Sequence, residues 1–366
     1  NFGQRAFAYT PPTGYKALNT FNLPDPTITD PSLYFDVKTW TGTGVDLVIG
    51  GMNFQPDLLW LKNRTDTSTS HCLQDAIGGS NLGLHPDTDV PHQTGWDGVI
   101  TSDWDSDGFT ASPHSYSNAN GKEYVAWLWD AGTAEITPSN SYDITPTAQW
   151  SNTTSGFSIT KYPGAGSAST LPHELNASPE FVIVKDIDST RNWFVWTNGL
   201  TDNALLRLNT NDAEVANFSE GYIDSVDTDK ISFNSGNTWN NVTGSGLNYL
   251  MYAWTGIPGY SAFGSYEGSS DLPFVWCGFK PHYILVKNID STESWILHDT
   301  ARSPNNVSSK KLSTNSGGAE TSTTFCDILS NGFKLRTTTS GEGNTSGDTY
   351  IFSAWAETPF KYSNAK

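Results

Sequence analysis

Charge is scarce in this sequence and mostly of one sign. Charged residues make up 16% of the 366-residue chain, with 20 Lys and Arg against 38 Asp and Glu, for a net charge of −18. Such a surface repels phosphate backbones and anionic lipid headgroups, which argues against a nucleic-acid or membrane-surface partner. It keeps a protein in solution and can recruit divalent cations. Cysteine is also rare: Cys72, Cys277 and Cys326 are the three. An odd number is no disulfide framework. Cys277 and Cys326 could pair, but buried free thiols made in a reducing compartment are the simpler reading. No run approaches the ~18 apolar residues of a membrane-spanning helix. There is no signal-peptide pattern and no long amphipathic helical pattern. The first residue is Asn1 rather than Met, which reads as a fragment or a processed product. Catalytic signatures are missing too: there is no Gly-x-Ser-x-Gly elbow, no His-Glu-x-x-His, no Walker loop and no dinucleotide fingerprint. Plentiful carboxylates leave a glycosidase pair open in principle, yet no pair stands out by context. The expectation is a protein that is not an enzyme.

What the chain does have is aromatic bulk, turns and repetition. Aromatics are 13%, including 14 Trp, beside 33 Gly and 19 Pro. One pattern occurs three times: a Pro, a polar residue, four apolar residues and a Lys. The copies are Pro56 to Lys62, Pro179 to Lys185 and Pro281 to Lys287. A second pattern follows each at about 63 residues, as Tyr124 to Trp129, Tyr249 to Trp254 and Tyr350 to Trp355. Repetition at a fixed period points to repeated structural units. Length alone suggests two or three domains at ~150 residues each. The repeats favour three units of about 100 residues, enough for a core each.

The four-residue apolar runs are short, bounded by turn residues and rich in Val, Ile and aromatics. They read as strands buried on both faces. Tyr34 to Trp40 alternates as a strand, with Phe35, Val37 and Thr39 on one face and Tyr34, Asp36, Lys38 and Trp40 on the other. The fold class is therefore all-β: three tandem β-sandwich modules of concanavalin-like or jelly-roll type, standing in a row. The expected divisions are 1–31 as an entry segment, 32–132 as the first repeat, 133–153 as a linker, 154–258 as the second repeat and 259–366 as the third. Trp60, Trp127, Trp193, Trp254, Trp295 and Trp355 recur at repeat positions and read as core. Lys62, Lys185 and Lys287 read as solvating the ends of their strands.

Two resemblances follow from these motifs. Asn1 to Phe7, followed by Pro11-Pro12-Thr13-Gly14-Tyr15-Lys16-Ala17-Leu18, resembles the final strands of a SPRY domain, a concanavalin-like sandwich. The Pro-to-Lys strand, Ser330 to Leu335, Asn344 to Tyr350 and the ending Glu357 to Tyr362 resemble a repeat family of marine bacteriophage tail-fibre and other virion surface proteins. The second repeat departs from that pattern at Lys230 to Phe233 and near Asn240. The resemblance implies a module on the virion surface, a homo-oligomer (a trimer, as in fibres), other virion proteins as partners, and contact with a host surface glycan.

Candidate sites lie in the loops. Trp96, Trp104, Tyr116 and Trp239 sit outside the repeated strands, where aromatic rings can stack on sugars while Asn and Asp meet the hydroxyls. Asp103, Asp105 and Asp107 stand at alternate positions before Gly108, like the start of a calcium loop, so Ca²⁺ is the one possible cofactor. The position where such a loop needs a bidentate Glu holds His114, and a solvated turn is the plainer reading. His85, Asp87, Asp89 and His92 carry transition-metal ligand chemistry, but Pro86 and Pro91 interrupt them and an exposed loop is expected.

Overall fold

The computed structural model describes residues 12–13, 23–79, 82–94, 104–138, 140–216, 222–234 and 242–363. The fold is all-β and its sheets are antiparallel. Among the described residues no helix is long and apolar enough to cross a membrane. The segment that resembles a SPRY domain lies almost wholly outside the described residues.

Each repeat builds a large inner sheet around the two repeated strands. In the first, the order is Phe35–Thr41, Glu123–Trp129, Leu58–Asn63, Cys72–Asp75. In the third it is Ser261–Glu267, Thr349–Pro359, Phe279–Asn288, Ile296–Asp299. The second has the same four in Phe157–Pro163, Asn248–Trp254, Phe181–Asp186 and Phe194–Thr197, extended at its ends by Ala148–Asn152 and Leu206–Arg207. The stretch 133–153, expected to be linker, thus ends in a strand. A smaller outer sheet covers one face of each inner sheet. It is Leu47–Ile49 with Phe109–Ala111 in the first module and Ser169–Pro172, Lys230–Phe233, Ile223–Val226 in the second. In the third it is Phe274–Trp276, Gly332–Leu335, Thr321–Leu329, Ser308–Lys311.

Side-chain alternation then explains the four-residue apolar runs. Leu59 and Leu61 point into the first module's own core, as Val182 and Val184 do in the second and Ile284 and Val286 in the third. The intervening Leu58 and Trp60, Phe181 and Ile183, Tyr283 and Leu285 all enter one common core. The Tyr-to-Trp strands divide in the same way, with Trp129, Trp254 and Trp355 on the common side. These three indoles pack edge-on against one another, with ring centroids 6.1, 5.8 and 5.4 Å apart. The modules therefore do not stand in a row. Their inner sheets close around a shared core, because each sheet carries a second apolar face that a linear array would leave in water.

The loops lock this closure in a ring. The segment after the fourth inner strand of each module reaches onto the next module. The His92 N–H donates to the Ile187 carbonyl (3.1 Å), the Glu214 N–H to the Ile289 carbonyl (2.8 Å) and the Glu320 N–H to the Arg64 carbonyl (2.9 Å). Indole N–H groups meet the same arms: Trp193 donates to the His85 carbonyl and Trp295 to the Arg207 carbonyl, both at 2.9 Å. His71 stands at this position in the first module, with Nε2 3.0 Å from the Ser313 carbonyl.

Lys62, Lys185 and Lys287 depart most from expectation. They are wholly buried, not solvated. Each ammonium donates to a carbonyl of a neighbouring arm: Lys62 to Gly317 (3.2 Å), Lys185 to Asp89 (3.2 Å) and Lys287 to Asn211 (3.5 Å). Each also donates to a carbonyl of its own module, such as Thr69 (2.8 Å) or Arg191 (2.8 Å). The arms cover the strand ends that sequence alone leaves open to water. Burial pulls all three ammonium groups down to about 8.

Modules 1 and 2, and modules 2 and 3, are joined directly by chain. The seam between modules 3 and 1 is not, and it carries the densest charged network. Arg64 binds Glu320 in bidentate fashion at 2.8 and 3.0 Å. Arg302, itself buried, bridges Glu320 (3.3 Å) and Asp299, and lies 5.6 Å from the Trp127 ring centroid. The Trp127 indole donates to Asp299 at 3.0 Å. Burial would raise the Glu320 carboxyl, but Arg64 and Arg302 outweigh it and hold it below the usual carboxylate value.

Two outcomes are expected. Glu320→Gln leaves Arg64 without its bidentate partner across the seam, and removing one member of a buried pair costs about 3 kcal/mol of stability, measured by urea unfolding. The lysines act on pH dependence. With its folded value near 8 and an unfolded value near ~10.4, Lys185 binds more protons in the unfolded chain between those limits, so its contribution to stability grows with pH there. The Tm difference between wild type and Lys185→Met should therefore shift in favour of wild type from pH 8 to pH 9.5.

Candidate functional site

Trp96, Trp239 and Asp103 lie outside the described residues. Trp104 and Tyr116 are half-buried and pack against the first module's own core. Tyr116 stacks on His114 with centroids 5.1 Å apart and tilts against His85 at 5.3 Å. Both aromatics thus extend a core rather than offer an open ring. Asp105 and Asp107 flank a tight turn in which the Asp105 and Gly108 backbones pair. The Asp105 carboxylate accepts from the Thr110 hydroxyl (3.3 Å), and Asp107 accepts from the Gly51 N–H (3.2 Å). Among the described residues no group of three His, Cys, Asp or Glu is placed to hold a metal ion.

The stretch from His85 to His92 is not an exposed loop. It is the arm that docks on the second module, with His85 buried and its Nδ1 2.6 Å from the His71 carbonyl. The Asp87 carboxylate accepts from the His71 N–H at 3.0 Å. Its ligand-like residues serve the ring closure instead. All three cysteines are free and buried, and burial pushes each thiol up.

One carboxyl pair has the chemistry of a shared proton. Asp57 is desolvated beside Asp130, and burial first, then Asp130, raises Asp57 to about 8. Its Oδ2 accepts the Ala131 N–H (2.7 Å), while Asp130 accepts from Gly132 (2.9 Å) and Asn152 (2.7 Å). Asp57 is only 1% exposed. A carboxyl sealed in this way fastens the chain as it leaves the Trp129 strand and cannot reach a substrate proton. The folded state keeps a proton that the unfolded chain releases above about pH 4, so this contribution to stability is lost as pH rises towards 8. Asp57→Asn should flatten the fall in Tm between pH 5 and pH 8, measured by thermal melts across that range.

An open cleft lies on the third module, and sequence reasoning missed it. In Phe274–Trp276 alternation sends Val275 into the core and turns Phe274 and Trp276 outwards, 43% and 57% exposed. Trp276 stands opposite Gly332 in register, as Pro172 stands opposite Lys230 in the second module. Gly278, at φ +78°, turns the chain beneath the indole; a Cβ there would sit 3.6 Å from the Trp276 ring. Phe360 packs edge-on against Trp276 at 5.7 Å. Pro24, Pro26, Pro258 and Pro359 complete a mostly apolar wall around a cavity of about 310 Å³. The rim is polar. Asp25 accepts from the Lys361 ammonium (2.6 Å) and the Tyr362 hydroxyl (2.9 Å), and these partners hold its carboxyl below the usual range.

An exposed indole supported from the side, an apolar floor and a charged rim suit a flat ligand with an apolar face and polar edges. Trp276 lies outside the repeated strand patterns, like the other loop aromatics, and that was the signal available for it.

A family model described as a domain of unknown function, DUF7483, matches residues 30–359. The chain belongs to this family. No curated protein and no solved structure matches it. The DUF7483 match spans all three modules. The matched residues lie on both sides of the seam between modules 3 and 1.

Proposed function

We propose that this DUF7483 chain is a non-enzymatic structural and adhesion protein of a bacteriophage particle, displayed on the virion surface, that contacts a host surface glycan through the Trp276 cleft. The repeat motifs that resemble virion surface proteins support the setting. The single observation that carries the binding role is the exposed Trp276 indole, braced by Phe360 and bordered by Asp25, Lys361 and Tyr362. A sugar presents C–H groups to an indole face and hydroxyls to its rim, which is the division of chemistry this cleft offers. The closed ring gives that cleft a rigid mount. A homo-oligomer, trimeric by the fibre resemblance, would multiply weak contacts into avidity.

A glycan array with the intact protein, followed by titration calorimetry on the best hit, tests the reading. Trp276→Ala should weaken binding about tenfold, since stacking of this kind is worth on the order of 1 kcal/mol, with Tm unchanged because the indole is mostly in solvent. No hit on the array, or full affinity in the variant, would leave a purely structural virion role.

A further inference from the structure

The three outer sheets differ in one respect that the repeat makes visible. Their edge strands occupy equivalent places: Leu47–Ile49, Ser169–Pro172 and Phe274–Trp276. In register, Val48 lies opposite Thr110 and Thr170 opposite Ser232. In the second module this edge is covered. The Thr170 carbonyl accepts the Ile144 N–H at 3.0 Å. The Thr170 N–H donates to the Asp143 carboxylate at 3.0 Å, and its hydroxyl donates to the same oxygen at 2.7 Å. Ile144 is buried in that module's core, and the Tyr142 hydroxyl anchors the segment on Asp229 at 2.8 Å. The chain itself thus shows an extended segment clipped onto this edge by one carboxylate and one backbone N–H.

The first module has the same edge without the clip. An antiparallel pair turns the N–H and C=O of alternate residues away from the partner strand, and Val48 holds the place that Thr170 holds. Among the described residues no group pairs with the Val48 backbone on that side. The strand is Leu-Val-Ile, with no Lys or Pro to blunt it, and Val45 and Val48 are 64% and 66% exposed. Among the described residues the third module's edge is open too, but Trp276, one of its outward side chains, lines the cleft.

We infer that the Val48 edge is a docking site for an extended segment of a second protein, added as a further strand. An Asp or Asn side chain of that segment accepts the Val48 N–H. The N–H of its next residue donates to the Val48 carbonyl. That residue is aliphatic, as Ile144 is in the second module. Main-chain pairing supplies the affinity and the side-chain acceptor sets the register. This site is independent of the glycan reading and lies on a different module.

The test uses the full chain and a synthetic peptide of residues 138–147, the segment that clips the second module. The expected result is saturable binding that shifts the Val48 amide resonance and slows its hydrogen exchange. Val48→Pro removes that N–H, and proline is tolerated on an open edge. It should keep the wild-type Tm and weaken peptide binding at least tenfold. Thr170→Pro, which breaks an occupied edge, should lower Tm. The inference is overturned by an absence of saturable binding, by equal binding to the Val48→Pro variant, or by a peptide that leaves the Val48 amide unmoved. It is equally overturned if that amide is already protected from exchange in the free protein, which would mean that the chain's own residues occupy the edge. The amide readouts come from wild-type protein, so the test stands even if the proline variant fails to fold.

Discussion

The structure depends on a sheet with two apolar faces. In each module the Pro-to-Lys strand and the Tyr-to-Trp strand send alternate side chains into a private core and into a common one. A single module would leave the second face in water. Three modules bring those faces together, and Trp129, Trp254 and Trp355 meet where the faces converge. Hydrophobic burial of this kind is non-directional and does not by itself set how the modules are oriented. The arms supply the direction.

Direction comes from a small set of polar contacts repeated around the ring. A backbone N–H, an indole or imidazole, and a buried ammonium hold each arm. An ammonium in such a place is costly unless carbonyls surround it, and the arms provide those carbonyls. The lysine and the arm therefore require each other. The seam without a covalent connection adds what the others lack, a network of Arg64, Arg302, Glu320 and Asp299. Arg64 and Glu320 pair across this seam, which no direct chain connection joins.

Because the ring carries the stability, loops and edges are free to differ. The second module spends its outer-sheet edge on its own linker, while the third turns Phe274 and Trp276 outwards. The first leaves Val48 bare. Copies that agree in their cores thus present three different surfaces. The aromatic candidates chosen from sequence illustrate the limit of choosing by loop position. Trp104 and Tyr116 sit in loop-like sequence yet extend a core, whereas Trp276 sits in a strand and faces solvent. Loop or strand does not decide exposure; the neighbouring layer does.

Much of the local structure was legible from residue order. Four apolar residues between turn signals meant a strand buried on both faces, since a strand alternates and both alternating sets were apolar. The recurrent tryptophans meant core, and all six are buried. What covered the second face was not legible. Two apolar faces call for a cover on each, but the strand pattern does not say which segment supplies it; that rests on contacts between residues hundreds of positions apart, such as Arg64 with Glu320. The same gap hid the fate of Lys62, Lys185 and Lys287 and of the His85 to His92 stretch. A lysine at the end of a strand is ordinarily solvated, and a loop with two prolines is ordinarily exposed. Only the neighbouring module, brought there by closure of the ring, turned both into interior structure.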